Sequence, residues 1–274
     1  MLIVAFVLLS TAAAIAASRG TAAPGDGRVI VDGHAMHYHC EGHRRPTVVL
    51  DAGSPDPGTV WRWVQPAIAR SVRVCSYDRA GIGQSAPAPT RQHRTAQTQV
   101  HELHELLRLA RISPPYVVVG HSWGGLLARL FAHDYPNATV GVVLVDATTF
   151  PYLTPTALAH LRRKRTDERI DLRAAVAESA AVKTLGRLPL VVLGHGRPRM
   201  DRRLLAAQDA EAGLSSDSIN AIARKSTHYI QKPPPLGQPG VVISAVRAVV
   251  KAARQGQPLP TCKTLFATAA VGCR

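Results

Sequence analysis

The segment Gly120-His121-Ser122-Trp123-Gly124-Gly125 holds the residue types that nucleophilic acyl transfer needs. Ahead of it runs the apolar stretch Tyr116-Val117-Val118-Val119. Behind it, Leu126, Leu127, Leu130 and Phe131 recur at helical spacing. G-x-S-x-G between a strand and a helix predicts a nucleophile elbow, with Ser122 raised above the strand end. Gly120 and Gly124 leave room where a Cβ would clash with neighbouring chain. The helix starting at Trp123 aims free N–H groups at the place where negative charge would develop. A serine hydroxyl becomes a good nucleophile only when a base takes its proton, and the base needs a third group to hold its tautomer. Of the 12 histidines, His228 stands in Ser226-Thr227-His228-Tyr229-Ile230-Gln231, just ahead of the final helical stretch. His121 is read as a packing residue.

These residues must be placed by the surrounding elements. Short apolar runs at 47–50, 71–77, 116–119, 140–145 and 188–193 read as strands. Residues 28–39 read as a hairpin turned at Asp32-Gly33. Helical patterns occupy 61–70, 95–111, the stretch after the elbow and 241–253. Residues 194–221 read as a loop plus a helical segment. This alternation predicts an α/β chain with a mostly parallel, doubly wound sheet, whose functional groups gather at the carboxyl ends of the strands. Ser122, Gly53-Ser54, Asp146 and the loop after Leu193 all fall at such ends. Residues 151–188 differ: they are helical, charged and weakly apolar, with the basic run Arg162-Arg163-Lys164-Arg165. They read as a small helical lid inserted after the sixth strand.

The remaining features set bounds. A chain of 274 residues suffices for one α/β domain, expected over 28–258, with a flexible lead-in at 18–27 and a tail at 259–274. The formal net charge of +15 comes from scattered basic residues, with no basic helix carrying interleaved aromatics. Nucleic acid is therefore not expected as a partner; weak attraction to anionic surfaces is compatible with the charge. The apolar stretch 2–17 is shorter than the ~20 residues of a membrane span. Ala14-Ile15-Ala16 fits a cleavage site, so residues 1–17 read as a secretory signal peptide, or else as an N-terminal anchor. In an oxidising compartment Cys40, Cys75, Cys262 and Cys273 would form two disulfides, with 40–75 and 262–273 the favoured pairing. His37, His39, Cys40 and His43 match no structural zinc spacing, and no metal is expected there. His101-Glu102-Leu103-His104-Glu105 is not H-E-x-x-H and reads as a solvated helix face.

From about residue 28 to 255 the chain resembles the α/β-hydrolase fold family. The likeness rests on Asp51-Ala52-Gly53-Ser54, on Asp78-Arg79-Ala80-Gly81-Ile82-Gly83-Gln84-Ser85, on the elbow, and on 226–231 ahead of the last helix. In that family the chain order is serine, acid, histidine. The resemblance implies Ser122 as nucleophile and His228 as base. It implies an oxyanion hole from the backbone N–H groups of Ser54 and Trp123. It usually puts the acid near position 197, where this chain has Arg197. Some members carry the acid after the preceding strand, which here is Asp146. Asp146 is preferred, with Asp201 as the alternative.

The expectation is a secreted serine hydrolase that cleaves a small-molecule carboxylester through an acyl-enzyme. It needs no metal or organic cofactor and no obligate protein partner. Dehalogenases and epoxide hydrolases resemble the same family but need a carboxylate nucleophile. An aminopeptidase resembling the proline iminopeptidases is the second enzyme reading. It would have to bind the substrate ammonium through Asp167, Glu168, Asp171 or Glu178. An inactive hydrolase fold acting as a binding module is the reading from outside enzymology.

Overall fold

The structure, a computed structural model, describes residues 24–89, 93–149, 168–267 and 269–274. The segment 1–17 and the basic run 162–165 lie outside the described residues. Among those described, no helix is long and apolar enough to cross a membrane.

Nine strands form one sheet: β1 (Gly25–Val31), β2 (His34–Glu41), β3 (Thr47–Asp51), β4 (Val74–Tyr77), β5 (Tyr116–His121), β6 (Thr139–Val145), β7 (Leu190–His195), β8 (Ser218–Ala223) and β9 (Val271–Cys273). Their spatial order is β1-β2-β4-β3-β5-β6-β7-β8-β9. The six strands from β4 to β8 run parallel, and β1, β2 and β9 are antiparallel edges. The helices are α1 (Gln65–Ala69), α2 (Ala96–Leu109), α3 (Trp123–Asp134), α4 (Leu172–Ala181), α5 (Arg202–Ala212), α6 (Pro239–Gln255) and the short α7 (Cys262–Leu265).

Alternation along the central strands divides the core. Val49, Val118, Val142, Leu144 and Val192 face α2 and α3, meeting Leu103, Leu107, Leu126 and Leu130. Val48, Val117, Val119, Val143, Val145 and Val191 face α1 and α6, meeting Ile68, Val242, Val246 and Val249. A strand buried on both faces reads as a continuous Val/Leu run, which is what a parallel sheet under two helical layers requires. The strand order reverses between β3 and β5, so a crevice opens at their carboxyl ends. Ser122 follows β5 and Gly53-Ser54 follows β3, and both therefore reach that crevice.

Three local expectations change. β1 begins at Gly25, inside the expected lead-in, because Gly25–Val31 pairs with His34 to Cys40 of β2. The expected helix 61–70 is a 3-10 turn, Gly58–Trp61, followed by the single turn α1. The tail is not separate from the domain: β9 adds to β8, and β8 begins at Ser218, inside the stretch 194–221 where no strand was expected. Of the expected lid, α4 and its flanks at 168–188 are described, and residues 150–167 are not.

The four cysteines are paired Cys40–Cys75 and Cys262–Cys273. Cys40 and Cys75 face each other across β2 and β4. The second bridge ties α7 to β9. Closing 35- and 11-residue separations constrains the unfolded chain by about 4 and about 3 kcal/mol in the loop-entropy picture. Replacing Cys40 and Cys75 by alanine should therefore lower stability more than replacing Cys262 and Cys273. Denaturant titration of the two double variants checks the order. Equal losses would show that loop length does not govern here.

Candidate active site

The elbow turns as its residues dictate. Ser122 has φ 51° and ψ −117°, a left-handed region that a residue with a Cβ enters only when its surroundings hold it there. The hold is visible. The Ser122 N–H donates to the Val145 carbonyl at 3.1 Å, and the Ser122 carbonyl accepts from Gly125, Leu126 and Thr148. A Cβ on Gly120 would strike the Gly124 carbonyl, and one on Gly124 would strike the carbonyls of Asp51 and Ala52. Both glycines are there because backbone passes against backbone. On the facing wall, a Cβ on Gly53 would lie 3.1 Å from that of Ser122. The peptide after Gly53 and the start of α3 at Trp123 thus both border the serine.

Asp146 directly follows β6 at φ 45°, which aspartate tolerates better than most residues. Its N–H donates to the Leu193 carbonyl at 2.7 Å. The turn sends its carboxylate to meet two imidazoles. His228 Nδ1–H donates to Oδ2 at 2.5 Å. His195, the last residue of β7, donates from Nδ1 at 2.8 Å and from its backbone N–H to Oδ1 at 3.0 Å. Burial alone would raise the proton affinity of this carboxyl. The hydrogen bonds and charges of His195 and His228 outweigh burial and hold it well below the usual carboxylate range. His195 is pulled the other way by burial, yet the bond to Asp146 leaves its proton affinity raised. The alternative acid, Asp201, makes no part of this cluster. It caps α5, accepting from the Leu204 N–H at 2.8 Å.

His121, beside the serine, is fully buried, and that burial pushes its pKa down to about 3. It is neutral and donates from Nε2 to the His228 carbonyl at 2.9 Å, with the two rings 4.6 Å apart. It packs against His228 and, through this hydrogen bond, fixes the loop that carries it.

Behind Gly53 lies a buried charged network that the sequence reading missed. Arg79 donates to Asp51 Oδ1 at 2.6 Å, to Glu168 at 2.5 Å, to the Ala52 carbonyl at 2.5 Å and to the Gly53 carbonyl at 3.1 Å. Tyr77 donates to Asp51 at 2.9 Å, and Ser54 donates its hydroxyl to Glu168. Asp51 and Glu168 are wholly inaccessible to solvent. Burial raises the Asp51 carboxyl to about 6 against the pull of Arg79. The same two carboxylates hold the Arg79 proton more firmly still, overcoming its own burial.

Among the described residues, one group, Asp146, His195 and His228, brings three metal-ligating atoms within 4.8 Å of one another. The hydrogen bonds just described account for that closeness. The set His37, His39, Cys40 and His43 does not assemble, because Cys40 is in a disulfide. His37 and His39 instead share the Asp26 carboxylate, each at 3.1 Å.

Residues 46–233 match the family model described as alpha/beta hydrolase fold. The chain belongs to that family. Among the relatives of this α/β-hydrolase is the uncharacterized protein YqjL of Bacillus subtilis (strain 168), 31% identical over 84% of this chain and 94% of that protein. A soluble epoxide hydrolase of Corynebacterium sp. (strain C12) is 33% identical over 43% of this chain and 40% of its own length. Among solved structures, a thermophilic esterase from Thermogutta terrifontis superposes with a TM-score of 0.65 at 20% identity, covering 83% of this chain and 99% of that one. That likeness is one of fold.

Proposed function

We propose that this α/β-hydrolase is a serine hydrolase that cleaves carboxylesters through an acyl-enzyme. The observation that carries the reading is the Asp146–His228 hydrogen bond beside a serine held at φ 51° on the elbow. His228 Nε2 takes the Ser122 proton as Oγ attacks the carbonyl carbon. Asp146 steadies the imidazolium that forms. The oxyanion is met by the N–H groups of Trp123 and Ser54. The proton then passes from His228 to the departing alcohol. Water, deprotonated by the same base, attacks the acyl carbon and releases the acid and Ser122. A serine at the elbow, where epoxide opening needs a carboxylate, separates this chain from its epoxide hydrolase relative.

The state of the lid carboxylates favours esters over N-terminal amides. Glu168 is buried and bound to Arg79 and Ser54. Asp171 caps α4, accepting from Arg173 and Ala174. Glu178 caps α2, accepting from Ala96 N–H at 2.9 Å and Gln97 N–H at 3.2 Å. None of these three is left to receive a substrate ammonium, and Asp167 lies outside the described residues. The two disulfides support export to an oxidising compartment, where residues 1–17 would act as signal or anchor.

The test is hydrolysis of short and medium p-nitrophenyl esters beside alanine- and proline-naphthylamides, with fluorophosphonate labelling mapped by mass spectrometry. Ester turnover with the label on Ser122 is expected. Amide cleavage alone would move the reading to an aminopeptidase. No turnover and no label on Ser122 would leave a binding module.

A further inference from the structure

A triad uses one histidine on its carboxylate, and Asp146 has two. His228 reaches Oδ2 from the loop after β8. His195 reaches both oxygens from the end of β7, and its own backbone N–H takes Oδ1 as well. His195 ends β7, the strand after which the acid is usually carried. We propose that His195 is a positioning residue of the hydrolase: it holds Asp146 at both oxygens, one of them shared with His228, and, by sharing the carboxylate, sets how firmly Asp146 holds the catalytic base. This rests on the serine-hydrolase reading above.

The physical argument is one of divided charge. A buried carboxylate next to one cation gives it the whole attraction, and next to two it gives less to each. When His195 carries a proton, Asp146 is already paired, and the imidazolium form of His228 is held less strongly. His228 must be unprotonated to accept the serine proton, so a protonated His195 keeps the base usable at lower pH. Several charged groups face this cluster. From β5 there is His121, which stays neutral. From α5 there is Glu211, whose carboxyl burial raises to about 7. Arg199, Arg224 and Arg274 line the cavity of about 300 Å³ that His195 borders. Lys232 lies beyond His228 on the Tyr229 ring, 3.6 Å from its centroid. Arg274 is itself paired with Asp209, and Asp146 raises the proton affinity of His195 against its burial.

The experiment is the pH profile of kcat/KM on p-nitrophenyl acetate for wild type, His195→Gln and His195→Leu. Glutamine can still donate to Asp146 but cannot take a proton. In both variants His228 is the only group that can place a positive charge on Asp146, so the acid limb should move upward by about one pH unit. His195→Leu should also lose ~10- to 100-fold in kcat from a loosened carboxylate, and His195→Gln should recover much of that. Three coincident acid limbs would overturn the proposal, even with lowered kcat, because a purely structural role lowers the rate without moving the limb. If the variants do not fold, NMR titration of the wild-type histidine Hε1 signals decides. His195 and His228 should titrate as a coupled pair; two independent single-site curves would refute the sharing. This titration needs no turnover. It stays readable if the hydrolase reading itself fails, which would show instead as an inert, unlabelled Ser122.

Discussion

Asp146→Asn should lower kcat for p-nitrophenyl acetate by about 10⁴-fold, whereas Asp201→Asn should leave it within about twofold. Asparagine at 146 keeps the volume but offers one acceptor oxygen and an NH2 in place of the other. It cannot accept from His195 and His228 together, and its NH2 facing His228 Nδ1 would turn the ring to the wrong tautomer. At position 201 the side chain only caps α5, and asparagine caps as well as aspartate does. Ser122→Ala sets the floor, with a loss of ~10⁶-fold. Steady-state kinetics on the three purified variants, with thermal unfolding to confirm that each is folded, gives the ranking. A collapse in Asp201→Asn with Asp146→Asn still active would transfer the acid to residue 201.

Arg79→Met should cost stability at the upper end of what breaking a buried ion pair costs, about 5 kcal/mol. It strands two carboxylates, Asp51 and Glu168, that no solvent reaches. It also removes the donor that holds the Ala52 and Gly53 carbonyls, so surviving protein should show a lower kcat from a displaced Ser54 N–H. The loss should depend on pH. In the native protein Asp51 already has its pKa raised to about 6. A buried acid of raised pKa contributes most below its unfolded value near 3.8, and that contribution fades as pH climbs through 6. Without Arg79 only the Tyr77 hydrogen bond opposes that burial, so the deficit should be largest near pH 8 and should shrink towards pH 5. Urea unfolding at both pH values tests this; a deficit that does not change with pH would show that removing Arg79 leaves the protonation of Asp51 unchanged.

The parts of the site that could be read in the sequence are those fixed by neighbours in the chain. The elbow is legible because a Val run, two glycines that pass against backbone and a Leu/Phe helix sit together at 116–132. His228 is legible because it precedes the amphipathic α6. Asp146 required the family's chain order, since an aspartate at a strand end caps backbone as often as it serves chemistry. The Arg79–Glu168 pair spans 89 residues, and no local pattern marks it. His195 carried no signal of its own among 12 histidines; only its place at the end of β7 could have drawn attention to it. β8 was missed for a different reason. Ser218-Ile219-Asn220-Ala221-Ile222-Ala223 has few β-branched residues, and it is a strand because β7 pairs with it on one side and β9 on the other.

The placement of the tryptophans gives the protein a built-in optical reporter. There are three: Trp61, Trp63 and Trp123. Trp123 follows the serine and is buried, its indole donating to Gln99 at 3.0 Å. Trp61 is buried and meets the His121 ring edge-on, with centroids 6.5 Å apart. Only Trp63 is exposed, at 48%. In a Trp63→Phe background all emission would arise from two indoles that flank the elbow, so loading and unloading of Ser122 could be followed by stopped-flow fluorescence on unlabelled substrates that carry no chromophore.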